Sequence, residues 1–178
     1  MSEIYEQIVS QRGAFERLLS RIPGFRGYID KATRRTADRM VRDYVAGVLT
    51  QKINRLAALE VSLLDTDGGL QYMSETRSAK EKLQTFRDRV RAAAPGYSGF
   101  MESVKVDEEA LDRLYNFDEA QIRYADQFDA ALDALETAIS SGEAIKEAIR
   151  ALDLLTREAN EAFSMREDVL TNMSKSVQ

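Results

Sequence analysis

From Ile145 to Met173 one helical face is marked in alternating steps of three and four residues. Its positions are Ile145, Ala148, Leu152, Leu155, Ala159, Ala162, Arg166, Val169 and Met173. Such a stripe runs along one side of an α-helix, and that helix alone cannot bury it. The segment therefore demands at least one long helical partner. Arg166 is the sole charged residue on the line, a cation where a hydrophobic side chain belongs.

Four further segments carry helical periodicity and are separated by turn residues. Ser2 to Ile22 places Ile4, Ile8, Phe15, Leu18 and Ile22 on one stripe and stops at Pro23-Gly24. The second runs from Asp30 to Leu64 and ends before Gly68-Gly69. Its apolar positions drift, with Met40, Tyr44 and Val48 on one line and Leu49, Ile53, Leu56 and Leu63 on another. A kink near Gly47 or burial on two sides would account for the drift. The third, Leu70 to Ala94, aligns Met73, Leu83, Phe86, Val90 and Ala93 and stops at Pro95-Gly96. The fourth opens on Asp107-Glu108-Glu109, carboxylates suited to a helix N-terminus, and runs through Leu111, Leu114, Ile122, Ala125, Phe128, Leu132, Leu135 and Ile139 to Ser140. No run alternates with period two, so no sheet is expected. Connections are short, which favours antiparallel neighbours. The expected fold is all-α: an elongated antiparallel helical bundle of about five helices with coiled-coil-like seams. Residues 1–172 form one domain, and 173–178 form a frayed tail.

The chain of 178 residues contains no histidine and no cysteine, which removes several chemistries at once. Histidine-based triads, HExxH zinc sites, thiolate nucleophiles, disulfides and iron–sulfur clusters all need residues it lacks. No Gly-x-x-x-x-Gly-Lys loop or Gly-x-Gly-x-x-Gly motif is present, and Asp65-Thr66-Asp67-Gly68-Gly69 does not keep the spacing of a calcium loop. No catalytic residue, cofactor or metal is expected. The start of the chain lacks the basic and apolar regions of a signal peptide, and no apolar run is long enough to span a bilayer. The expectation is a cytoplasmic protein, with peripheral contact at the inner membrane face retained as an alternative.

Two features invite a functional reading. Pro23-Gly24-Phe25-Arg26-Gly27-Tyr28 and Pro95-Gly96-Tyr97-Ser98-Gly99-Phe100 share one pattern of proline, glycines and aromatics. Such aromatics either plug a helix–helix corner or stand exposed as a docking pair. Charge is the second feature. Residues 1–64 carry 11 basic and 7 acidic side chains, whereas 95–178 carry 8 and 18. On the second segment Lys31, Arg34, Arg35 and Arg42 fall within about 100° of arc, opposite Met40 and Tyr44. Arg26 and Arg39 extend this cluster, and Phe25 and Tyr28 lie beside it. The stripe is read as paired with the acidic helices, as an interface to an acidic protein or a second copy, or as a surface for anionic lipid. The overall acidity, with a pI near 5.0, disfavours nucleic acid. The acidic row Asp126, Asp129, Asp133 and Glu136 is expected to be solvated or paired with arginine.

Ile22-Pro23-Gly24-Phe25-Arg26-Gly27-Tyr28, followed by Arg34-Arg35, Asp38 and Arg42, resembles the N-terminal signature of uncharacterised bacterial helical-bundle proteins. Lys105-Val106-Asp107-Glu108-Glu109-Ala110-Leu111-Asp112-Arg113-Leu114-Tyr115 is similar to a second segment of that family. The resemblance implies a bacterial origin and an all-helical fold, and brings no activity with it. The functional expectation is a non-catalytic scaffold or adaptor that associates with proteins or with itself. Its alternative is a peripheral binder of anionic membranes, using the arginine face and the adjacent aromatic loop.

Overall fold

The computed structural model describes residues 2–28, 31–92 and 108–175, with the side chains of residues 31, 32 and 174 outside that description. The second Pro-Gly-aromatic motif therefore lies outside the described residues, as does the side chain of Lys31. Among the described residues the fold is all-α, without strands. Six α-helices are present: α1 Glu3–Val9, α2 Ala14–Arg21, α3 Lys31–Leu64, α4 Met73–Arg91, α5 Glu108–Ser141 and α6 Ile145–Lys175. A 3-10 turn, Gly69–Tyr72, precedes α4.

The sixth helix arises because the first predicted segment is two helices. Helix α1 stops at Val9 with Ser10 as its C-cap, and Gly13, in a left-handed conformation at φ +73°, is the N-cap from which α2 starts. The Ser2 hydroxyl caps α1 by accepting from the Tyr5 N–H at 3.3 Å. At the far end of α2, Ile22 is extended because Pro23 follows it.

Helix α3 has 34 residues and spans about 50 Å. It runs unbroken through Gly47, which is exposed, so a kink does not explain its drifting stripe. Burial on two sides does. Val41, Val45, Leu49, Leu56 and Leu63 are buried in the main core, while Met40, Tyr44 and Val48 pack half-buried against it. On that second side α2 approaches, its Arg21 donating to the Tyr44 hydroxyl at 3.1 Å.

Helix α6 has the same two-sided character. Its most deeply buried line includes Ile149, Leu152, Thr156, Ala159, Phe163, Arg166 and Leu170. Ala148, Leu155 and Val169, expected on the seam, pack against the core at its margin. Ala162 joins Ile8, Phe117 and Ala120 in a second small cluster beneath α1.

The directions of the helices follow from their cross-links. The α3–α4 pair and the α5–α6 pair are antiparallel hairpins joined by short turns. Between hairpins the order is different. Lys52 meets Asp129 and Arg55 meets Asp133 and Glu136, so α3 and α5 run in the same direction. Lys82 meets Asp153 and Arg89 meets Glu167, so α4 and α6 also run together. The bundle is thus two antiparallel hairpins laid side by side with like-directed helices adjacent, rather than antiparallel throughout. The turn from Gly24 to Tyr28 packs at the end of the bundle where α3 and α5 begin.

Candidate functional site

The first Pro-Gly-aromatic corner is folded into the core. Phe25 and Tyr28 are buried, and their rings lie 6.0 Å apart in an edge-on arrangement. Tyr28 stacks on Tyr115 of α5 at 5.4 Å. Gly27, at φ +83°, makes this approach feasible: a Cβ there would come within 2.6 Å of the Tyr115 hydroxyl and 2.7 Å of the Phe15 ring. The Tyr28 N–H donates to that same Tyr115 hydroxyl at 2.8 Å. These two aromatics plug the corner, and the alternative of an exposed docking or lipid-wedging pair does not hold for them. The hydrophobic area they carry is spent on closing the end of the bundle.

Below the corner lies a buried ionic chain. The Tyr28 hydroxyl donates to Asp118 Oδ2 at 2.6 Å, and Arg166 Nε donates to Asp118 Oδ1. Arg166 Nη2 reaches Asp38 Oδ1 at 3.1 Å, while Arg42 Nε donates to Asp38 Oδ2 at 2.7 Å. Asp38, Asp118, Tyr28 and Arg166 are each at most 2% exposed. The chain thus links α3, α5, α6 and the corner through groups withdrawn from water. Burial pushes the Asp118 carboxyl above its ordinary range, against the opposing pull of Arg166 and the Tyr28 hydrogen bond. Burial, and then the nearby Asp118 charge, push the Tyr28 phenol well above its usual value. Both carboxylates have both oxygens occupied by protein donors, so the chain's present geometry is that of a structural tie.

This tie takes part of the predicted arginine stripe out of the surface. Arg34 is 4% exposed, and its Nε donates to the Tyr28 carbonyl at 3.2 Å. Arg42 turns towards Asp38 and also donates to the Arg91 carbonyl at 3.0 Å. The single outward face expected for Arg34, Arg35 and Arg42 is therefore corrected. The corner supplies the Tyr28 carbonyl to Arg34, whereas Arg42 finds its acceptors in Asp38 of α3 and the Arg91 carbonyl at the end of α4. Arg26, Arg35 and Arg39 remain exposed and form no ion pair among the described residues.

The acidic row on α5 is paired with arginine and lysine. Arg21 binds Asp126 through two parallel contacts of 2.7 and 2.8 Å, the geometry in which a guanidinium is strongest. Lys52 meets Asp129 at 2.6 Å, and one Arg55 nitrogen lies 2.6 Å from both Asp133 and Glu136.

The sequence signalled Arg166 by its place on the α6 seam. The matching signal for Asp118 lies in the fourth segment, four residues after Leu114 and four before Ile122. A charged residue stands there on a line of hydrophobic ones. Asp38 sits likewise between buried Ala37 and Val41. Comparison with family models, curated proteins and solved structures finds no match to the chain, so none bears on the resemblance of its two segments. No helix among the described residues is long and apolar enough to cross a membrane.

Proposed function

We propose that the protein is a non-catalytic adaptor that associates with acidic protein surfaces, a second copy of itself included. The basic surface would be the outer arc of α3. One observation carries this reading. Arg21, Lys52 and Arg55 are neutralised inside the fold by the α5 acid row, whereas Arg26, Arg35 and Arg39 are exposed without an ion pair among the described residues. Exposed cations of this kind steer and orient a partner more than they stabilise the chain that carries them. On α6, Glu147, Glu161 and Asp168 are exposed and unpaired among the described residues, so one molecule offers both signs of charge. Contact between a basic arc and an acidic edge is heterologous, which allows assembly beyond a closed dimer.

The membrane alternative loses its apolar anchors, since Phe25 and Tyr28 are buried. Light scattering coupled to size exclusion tests the proposal. At low salt the mass should exceed 20.1 kDa and fall towards that value at high salt, as Debye screening shortens. The Arg35→Glu/Arg39→Glu variant should remain at 20.1 kDa under both conditions. A wild-type mass of 20.1 kDa at both salts defeats self-association.

A further inference from the structure

Helix α3 keeps one line towards solvent along its length. Arg35 and Arg39 begin it, and Asp43, its one acid, lies a single turn from Arg39. Gly47, Gln51, Asn54, Ala58, Val61 and Leu64 continue it, all exposed and all uncharged, in a chain of which 31% is charged. The ionisable groups of that stretch are engaged elsewhere, Lys52 and Arg55 with the α5 acid row and Glu60 with Lys80. What the line presents instead is Val61 and Leu64, 64% and 49% exposed. A helix face turned to water gathers charge, whereas the centre of an interface sheds charge and keeps it at the rim.

The rim is present at both ends, with opposite signs. Just past α3, Asp65 and Asp67 are exposed and form no ion pair among the described residues. At 1.5 Å per residue, Asp65 stands about 39 Å along the axis from Arg39. The face is therefore positive at one end, negative at the other and neutral between. Turned end for end, such a face matches itself. Pairing Arg35 with Asp67 and Arg39 with Asp65 requires one register, since the midpoints of the two pairs are residues 51 and 52. A single two-fold axis beside Gln51 thus serves both pairs in both directions. It also brings Val61 of each copy towards the half-buried Met40 of the other. A parallel pairing would set arginine against arginine.

We propose that the partner of the α3 arc is a second copy of this chain, docked antiparallel, α3 on α3, across a two-fold axis beside Gln51. The inference rests on the reading of that arc as an association surface and names its acceptor as Asp65 and Asp67 rather than the α6 edge. A contact of this kind is isologous and closes at two copies.

Light scattering of the full chain at low salt should level off at twice 20.1 kDa as concentration rises. Asp65→Lys/Asp67→Lys should stay at 20.1 kDa, as should Arg35→Glu/Arg39→Glu, each with Tm unchanged. Mixed one to one, these two variants present complementary ends again and should recover the doubled mass. The chain has no cysteine, which gives geometry its own readout. Asn54→Cys, near the axis, should be joined to its counterpart by a short bismaleimide. Arg35→Cys, about 48 Å from its counterpart, should not. A mass of 20.1 kDa at every concentration overturns the second copy and leaves the arc to a foreign acidic surface. Asp65→Lys/Asp67→Lys associating like the wild type, a mass that grows past two copies, or cross-linking at Arg35→Cys instead of Asn54→Cys overturns the two-fold while the arc stands. Undiminished association of Arg35→Glu/Arg39→Glu overturns the underlying reading as well.

Discussion

Among the described residues Arg166 is the largest fully buried side chain, and it is charged. A guanidinium withdrawn from water persists only where its partners compensate for lost hydration, and here Asp118 and Asp38 do so from two different helices. Removing one member therefore costs more than the pairing itself contributes. Arg166→Met leaves two buried carboxylates facing each other and should lower stability by about 3–5 kcal/mol in urea denaturation. Converting its three most buried ions, Arg166→Met with Asp38→Leu and Asp118→Leu, should recover part of that loss, because hydrophobic replacement of buried ions is often neutral while the buried Tyr28 hydroxyl is left without its Asp118 acceptor. A triple variant as unstable as the single one would mean that the ions are required for packing itself. The spacing of α6 is enough to make Arg166 conspicuous. Its partners are harder to see. Asp38 and Asp118 also interrupt core lines, but charged residues are so common on these helices that spacing does not say which of them meet Arg166. Burial is what sets them apart.

The elements record a similar division between what spacing can show and what only packing decides. The long helices are visible in sequence because their apolar positions recur over many turns, and the α3, α5 and α6 boundaries fall close to the punctuation that predicts them. The Gly13 break escapes notice because the residues on either side keep a common apolar phase while the backbone between them reverses hand. Glycines inside the pattern also differ in a way that composition hides. Gly47 sits in the exposed middle of α3, and a Cβ there would meet nothing within 4 Å. Gly47→Ala should stabilise the helix by about 0.5–1 kcal/mol, chiefly by removing backbone freedom from the unfolded chain. The matching rise in Tm is about 2–4 °C per kcal/mol for a chain of this size. Gly69 lies where the chain leaves α3 for α4, and a Cβ there would stand 1.7 Å from the Leu63 carbonyl oxygen. Gly69→Ala must displace backbone and should cost about 2 kcal/mol or more in the same thermal melts. If both variants shift Tm alike, the space around the backbone is not what distinguishes them.

At the scale of the whole molecule, the all-helical class is legible in the sequence but the neighbour relations are not. A stripe states which face of a helix is buried and leaves open which helix covers it. Short turns correctly imply that α3 with α4, and α5 with α6, form antiparallel pairs. The like-directed packing of α3 beside α5 appears only through Lys52, Arg55 and the acid row. That packing divides the basic charge of the N-terminal part into two functional populations, one spent inside the molecule and one presented outside it. The division predicts opposite behaviour for two sets of variants. Arg55 is 31% exposed and faces Asp133 and Glu136, which are 67% and 57% exposed. After allowance for solvent screening, Arg55→Glu should lower stability by about 1 kcal/mol, with a lower Tm that high salt partly restores. Its low-salt association should remain that of the wild type. Arg35→Glu/Arg39→Glu should do the reverse, leaving Tm within the scatter of ordinary surface substitutions while changing the mass read by light scattering. Both quantities are measured on the same samples across a salt series. If the Arg35/Arg39 variant loses as much stability as the Arg55 variant, the outer arginines are also part of the internal pairing. The α3 arc would then have no charge to offer a partner.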